Sequence, residues 1–146
     1  MKVIETSIDI AASADRIWDV LIRFDDYPAW NPFIARITGV PRHGTRLLVQ
    51  IKPPGRSGMK FRPAVTVAAP QHHLMWRGHL LFPGLFDGEH SFRIEEHGKA
   101  CRFHQSERFS GILVPLFGAG LFEATRQGFE AMNIALKERA ETCTGL

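Results

Sequence analysis

The 146-residue chain has two cysteines, one tyrosine, and no hydrophobic run approaching the ~18 residues that a membrane-spanning helix needs. Two cysteines cannot build a disulfide framework. Cys101 falls in a strand-like segment and Cys143 in a polar C-terminal tail, which reads as two free thiols in a reducing compartment. The first residues, MKVIETSIDI, alternate polar and apolar and lack the apolar core of a signal peptide, so a cytoplasmic location is expected. CxxC, HExxH, GxSxG, GxxxxGKS/T and GxGxxG are all missing, so the sequence offers no handle for metal, nucleophile or nucleotide chemistry. Lys and Arg outnumber Asp and Glu by 18 to 15, but the basic residues are scattered and form no phosphate-tracking stripe, so no nucleic-acid partner is expected.

What is present fits a globular chain: 45% hydrophobic and 23% charged residues, in a length that suits one domain over residues 1–146. Along residues 2–10, Ile4, Thr6, Ile8 and Ile10 fall on one face and Glu5, Ser7 and Asp9 on the other, the period of a half-buried strand. Ser13 then stands as an N-cap, with Asp15 in the first turn and Ile17, Val20, Leu21 and Phe24 at helical spacing, predicting a helix over 14–23. The segment FDDYPAWNPF carries Pro28 and Pro32, which forbid a continuous helix, yet its four rings require it to fold back on the body.

From residue 34 to residue 110 the pattern is strands separated by turns: 34–40, 45–52, 60–69, 73–82, 88–97 and 100–110. Short turns between successive strands argue for an antiparallel meander. In the last third, Phe122, Thr125, Phe129, Met132 and Leu136 recur at helical spacing within a segment over 118–141. The expected architecture is α+β. A curved seven-stranded antiparallel sheet wraps around the long C-terminal helix, with short helices between the first two strands. A curved sheet and a straight helix do not fit flush, so a cavity between them is expected.

The opening IDIAASADRIWDVLIRFDDYPAWNPFI, the later HHLMWRGHL, GEHSFRIEE and FHQSERFSG, and the closing GFEAMNIALKERAE resemble, in kind and order, the START / polyketide-cyclase superfamily (SRPBCC). The resemblance spans residues 2 to 141, with YPAWNPF as its strongest local feature, and it implies the helix-grip fold. That superfamily mixes lipid carriers, receptors and ring-closing enzymes, so function has to be argued from the site.

Strand alternation assigns an inward face. Leu74, Trp76, Gly78, Leu80 and Phe82 share one side of their strand, and His90, Phe92 and Ile94 share one side of the next. Cys101, Phe103, Gln105, Glu107 and Phe109 follow on the third. The expected lining is therefore Trp76, Phe92, Phe103, Gln105 and Phe109 opposite Phe122, Phe129 and Met132 of the helix, with Tyr27 and Trp30 as a lid. Such a lining suits a small hydrophobic or aromatic ligand, for instance a lipid, polyketide or isoprenoid-like molecule. His90 and Glu107 are its two titratable members. They serve as ligand-orienting groups in a carrier, or as a general acid/base pair in a cyclase, aromatase or dehydratase. A carboxylate there requires a partner, since an unpaired charge in an apolar pocket is expensive. No cofactor, metal or integral membrane segment is expected, and the chain is read as a monomer or homodimer.

Overall fold

The computed structural model describes residues 1–80 and 82–142. Its elements run β1 (Lys2–Ile10), α1 (Ala14–Ile22), α2 (Tyr27–Trp30), β2 (Ile34–Thr38), β3 (Leu48–Ile51), β4 (Met59–Phe61), β5 (Ala64–Ala69), β6 (His73–His79), β7 (Asp87–His97), β8 (Ala100–Ser110) and α3 (Ala119–Thr142). One antiparallel sheet has the order β1-β8-β7-β6-β5 and a second the order β2-β3-β4. The architecture is α+β with a long C-terminal helix, the helix-grip arrangement.

Two expectations are corrected. Among the described residues eight strands form, in two sheets, rather than seven in one. The segment over 60–69 breaks at Pro63, which has no N–H for a ladder and restricts the residue before it. The two sheets still meet there: the Leu47 N–H donates to the Pro63 carbonyl at 2.8 Å and the Val65 N–H to the Thr45 carbonyl at 2.9 Å. The strand expected over 73–82 also ends early, at His79, leaving Phe82 exposed instead of inward and Leu80 at the edge of the cavity wall, 40% exposed.

The alternation in β1 holds, with Ile4 and Ile10 buried and Glu5, Ser7 and Asp9 exposed. Ser13 caps α1 by accepting the Arg16 N–H at 3.1 Å. The aromatic segment folds back through a 3-10 turn (Phe24–Asp26) and α2. Its rings stack edge-on, Phe24 to Tyr27 at 5.6 Å and Tyr27 to Trp30 at 5.2 Å.

The C-terminal end of α3 is pinned. The Arg16 guanidinium donates to the carbonyls of Arg139 and Ala140, which helical geometry leaves without partners, and Glu141 accepts the Ala11 N–H at 2.7 Å. Phe129, Met132 and Leu136 are fully buried, each contributing about 1.5–3 kcal/mol relative to exposure. Gly128 lets the helix approach the ring of Phe33 closely, at a point where any Cβ would collide with it.

Candidate functional site

Because β1, β8, β7 and β6 pair in regular antiparallel register, their inward residues form rows across the sheet. One row reads Leu74, Phe92, Gln105, Thr6; the next reads Trp76, His90, Glu107, Ile4; the next reads Gly78, Gly88, Phe109, Lys2. The first row is closed: Leu74, Phe92 and Gln105 have no exposure beneath α3. The last row carries two glycines, and there the sheet and helix part. A cavity of about 140 Å³ opens over the second and third rows.

Its sheet wall is Trp76, Gly78, Gly88, His90, Glu107 and Phe109. Phe117, Leu121, Phe122 and Thr125 close it from the helix side, and Val49, Ile51, Met59 and Phe61 of β3 and β4 from the third side. Phe33, Ile34, Pro63, His79, Leu80 and Phe86 complete it. Of the residues expected at the site, Trp76, His90, Glu107, Phe109 and Phe122 line this cavity together. Phe92, Phe103 and Gln105 under α3, and Phe129 and Met132 on its inner face, are fully buried and outside the lining. Tyr27 and Trp30 are also outside it. The Tyr27 hydroxyl donates to the Leu21 carbonyl, and burial pushes its phenol pKa well up. The β3–β4 wall was missed, although Val49 and Ile51 alternate within LLVQI and Met59 and Phe61 within MKF.

His90 and Glu107 face each other directly in the register, with His90 Nδ1 2.7 Å from Glu107 Oε1. The His90 ring is buried and stacks on Trp76 at 5.2 Å between centroids. On its far side, His90 Nε2 lies 3.0 Å from Gln105 Oε1. The Gln105 amide nitrogen in turn donates to Asn133 Oδ1 at 2.8 Å and to the Phe129 carbonyl. Asn133 Nδ2 donates to Thr6 Oγ1, whose hydroxyl donates to the Gln105 carbonyl.

Two backbone carbonyls, which only accept, therefore set the direction of the whole chain. Gln105 must present its oxygen to His90, and His90 must carry a proton on Nε2. The contact to Glu107 then needs a proton as well, since a bare Nδ1 lone pair against a carboxylate at 2.7 Å would be repulsive. The pair is either imidazolium with carboxylate or neutral imidazole with carboxylic acid. In both forms it presents one shared proton at the cavity wall. Gly88 makes this placement possible, because a Cβ there would strike Glu107 Oε2.

Among the described residues, no three His, Cys, Asp or Glu side chains converge as metal ligands, and no helix is long and apolar enough to cross a membrane. Cys101 is a buried thiol whose pKa is pushed up by burial and by Glu96; Cys143 lies outside the described residues.

A two-sheet body closed on a long terminal helix, with an apolar cavity and one polar pair, defines a helix-grip protein with an internal pocket. The chain belongs to the polyketide cyclase / dehydrase and lipid transport family, which it matches over residues 1–141. In structure it is similar to a START superfamily protein from Mycobacterium smegmatis, with 22% identity, TM-score 0.75, and 97% of this chain and 99% of that one covered. It is also similar to the Zhui aromatase/cyclase from Streptomyces sp. R1128, with 14% identity, TM-score 0.76, and 99% of each chain covered. Norcoclaurine synthase from Thalictrum flavum, a point mutant in complex with a transition-state analogue, aligns at 18% identity and TM-score 0.65, over 99% of this chain and 96% of that one. At these identities the likeness is one of fold. No functionally curated protein matches the sequence.

Proposed function

We propose that this protein binds a small, largely apolar molecule in the cavity between β6–β8, β3–β4 and the N-terminal half of α3, with one polar end of the ligand at His90 and Glu107. The observation that carries the reading is the composition of the wall. Apart from His79 at the margin, its polar side chains are Thr125, whose hydroxyl is committed to the Leu121 carbonyl, and the His90–Glu107 pair. Apolar area then supplies the affinity and the pair supplies orientation. In scale, about 140 Å³ is close to the ~150 Å³ of an apolar protein cavity that takes up benzene, so the enclosed part suits one aromatic ring or a short branched chain.

The shared proton favours a second reading, a cyclase or dehydratase. Glu107 and His90 would act as one unit, giving a proton to a departing hydroxyl and recovering one from the adjacent carbon as water leaves. Native mass spectrometry of the purified protein, followed by solvent extraction and mass analysis, tests the binding reading. A reproducible apolar molecule supports it. Failure to retain any molecule from a panel of aromatic and isoprenoid compounds at millimolar concentration defeats it. Conversion of an added β-hydroxyketone to a product 18 Da lighter, roughly the mass of one water, abolished by Glu107→Gln, would establish the catalytic reading.

A further inference from the structure

The mouth of the cavity carries a second feature that ligand binding does not require. Leu80, Phe82, Ile112 and Leu116 are large hydrophobic residues exposed by 40, 58, 76 and 77%. They lie on two loops joined by backbone hydrogen bonds: the Ile112 N–H donates to the Gly84 carbonyl at 3.1 Å and the Leu113 N–H to the Leu85 carbonyl at 2.9 Å. Leu80, Phe86 and Phe117, from the same loops, line the cavity, so the exposed apolar side chains surround its opening. Buried Asp87 anchors the first loop by accepting the Gly84 N–H and pairing with Arg77.

Residues 80–86 and 111–121 contain no charged residue. The neighbouring loop between β3 and β4 has the opposite character. It carries Lys52 and Arg56, both exposed, with no acidic residue among 52–58. Arg56 reaches the first turn of α3, where its guanidinium lies beside Gly120, and Met59 of the same segment lines the cavity. Arg56, and Lys52 bonded to its carbonyl, therefore place two cations beside the apolar rim.

We propose that this face docks on an anionic lipid bilayer, with Phe82, Ile112 and Leu116 entering the headgroup–acyl boundary and Lys52 and Arg56 against the lipid phosphates. Exposed apolar side chains flanked by cations match an anionic interface on both counts. A nucleic-acid partner would leave the uncharged loops without a role. The inference goes beyond the proposed ligand binding and stands on residues outside the cavity lining, so either can fail without the other. Docking in this orientation would turn the cavity opening toward the bilayer.

Co-sedimentation with vesicles tests it, using phosphatidylcholine alone and phosphatidylcholine with ~30% phosphatidylserine. The expected result is partitioning onto the anionic vesicles that weakens about 25-fold in the double variant Lys52→Ser, Arg56→Ser, at about fivefold per charge. Ile112→Ser with Leu116→Ser should weaken it about tenfold. These side chains are exposed, so circular dichroism and the binding of an apolar dye in the cavity should stay unchanged. No partitioning at millimolar lipid, partitioning indifferent to both variants, or Ile112- and Leu116-dependent self-association in place of vesicle binding would each overturn the proposal. So would tighter binding to duplex DNA than to the anionic vesicles.

Discussion

His90 and Gln105 sit on adjacent strands one row apart, and the 3.0 Å contact from His90 Nε2 to Gln105 Oε1 fixes which ring nitrogen carries the proton. Gln105 is fully buried and acts through His90 without touching the cavity. Replacing it with leucine leaves His90 Nε2–H without an acceptor and Asn133 Oδ1 without a donor. The expected result is a loss of about 2–3 kcal/mol in urea unfolding. The imidazole Nε2 proton should exchange slowly in the wild type and lose its protected resonance in the variant. A Gln105→Leu protein with that resonance intact would show that the tautomer is set elsewhere.

The polar pair is expected to orient a ligand more than to hold it. His90→Ala combined with Glu107→Gln should leave the affinity for an apolar ligand within about tenfold, ~1.4 kcal/mol, by isothermal titration. Phe122→Ala, which removes a ring from the cavity wall, should weaken binding more than the double variant does. The reverse order would mean that polar contacts dominate and would move the weight to the catalytic reading.

How far the site could be read in advance follows from what alternation encodes. A period of two says whether a residue points in or out, and it correctly placed His90, Phe92, Phe103 and Gln105 inward and Arg93, Glu95, Arg102 and His104 outward. It says nothing about height along the strand relative to the helix. Phe92 and Glu107 share the inward face, but the first lies one row deeper, in the row that Gln105 ties to Phe129 and Asn133 in the middle of α3, and the second one row nearer the helix N-terminus. The cavity could therefore not be separated from the core by pattern alone. The signal that could have found it is glycine: Gly78 and Gly88, paired across β6 and β7, remove two side chains from one row. The break at Pro63 was visible in the same way and was read through.

His73 gives a pH dependence with a defined sign. Burial, and then the charge of Arg93, hold its pKa below the ordinary value of 6.5, and its Nε2 lies 2.8 Å from Ser91 Oγ. Between the depressed folded value and 6.5 the unfolded chain binds more protons than the folded one. The stabilising contribution is thus present above 6.5 and falls as pH drops through that window. Glu89, His73's other charged neighbour, acts in the opposite direction and more weakly. Urea midpoints measured from pH 7.5 to 5, roughly spanning the histidine range, should decline less in His73→Gln than in the wild type. Parallel curves would remove His73 from the account.

Gly128 sets two effects of opposite sign against each other. Alanine in a helix interior is ordinarily favoured over glycine by about 1 kcal/mol. At this position the new Cβ meets the Phe33 ring, which packs edge-on against Phe129 at 5.4 Å. Overpacking of a core typically costs about 1–3 kcal/mol, so Gly128→Ala should destabilise. In a Phe33→Leu background the obstruction is relieved, and the same substitution should become neutral or stabilising. A Gly128→Ala protein that is more stable than the wild type would show that Phe33 can move aside freely.

Gly88 tests whether the placement of the Glu107 carboxylate matters. An alanine Cβ would strike Glu107 Oε2, and a flexible carboxylate can yield where a backbone cannot. Gly88→Ala should therefore leave the fold nearly as stable while turning Glu107 away from His90. The alanine methyl also takes volume from a cavity of only about 140 Å³. These two routes to weaker ligand binding separate in a double-mutant cycle with Glu107→Ala. If displacement of the carboxylate is the cause, Gly88→Ala has no further effect once Glu107 is alanine. If lost volume is the cause, it reduces affinity equally in both backgrounds. The first outcome is expected for ligands whose polar end reaches the pair. The second should appear only with a purely apolar probe, which has nothing to offer the shared proton.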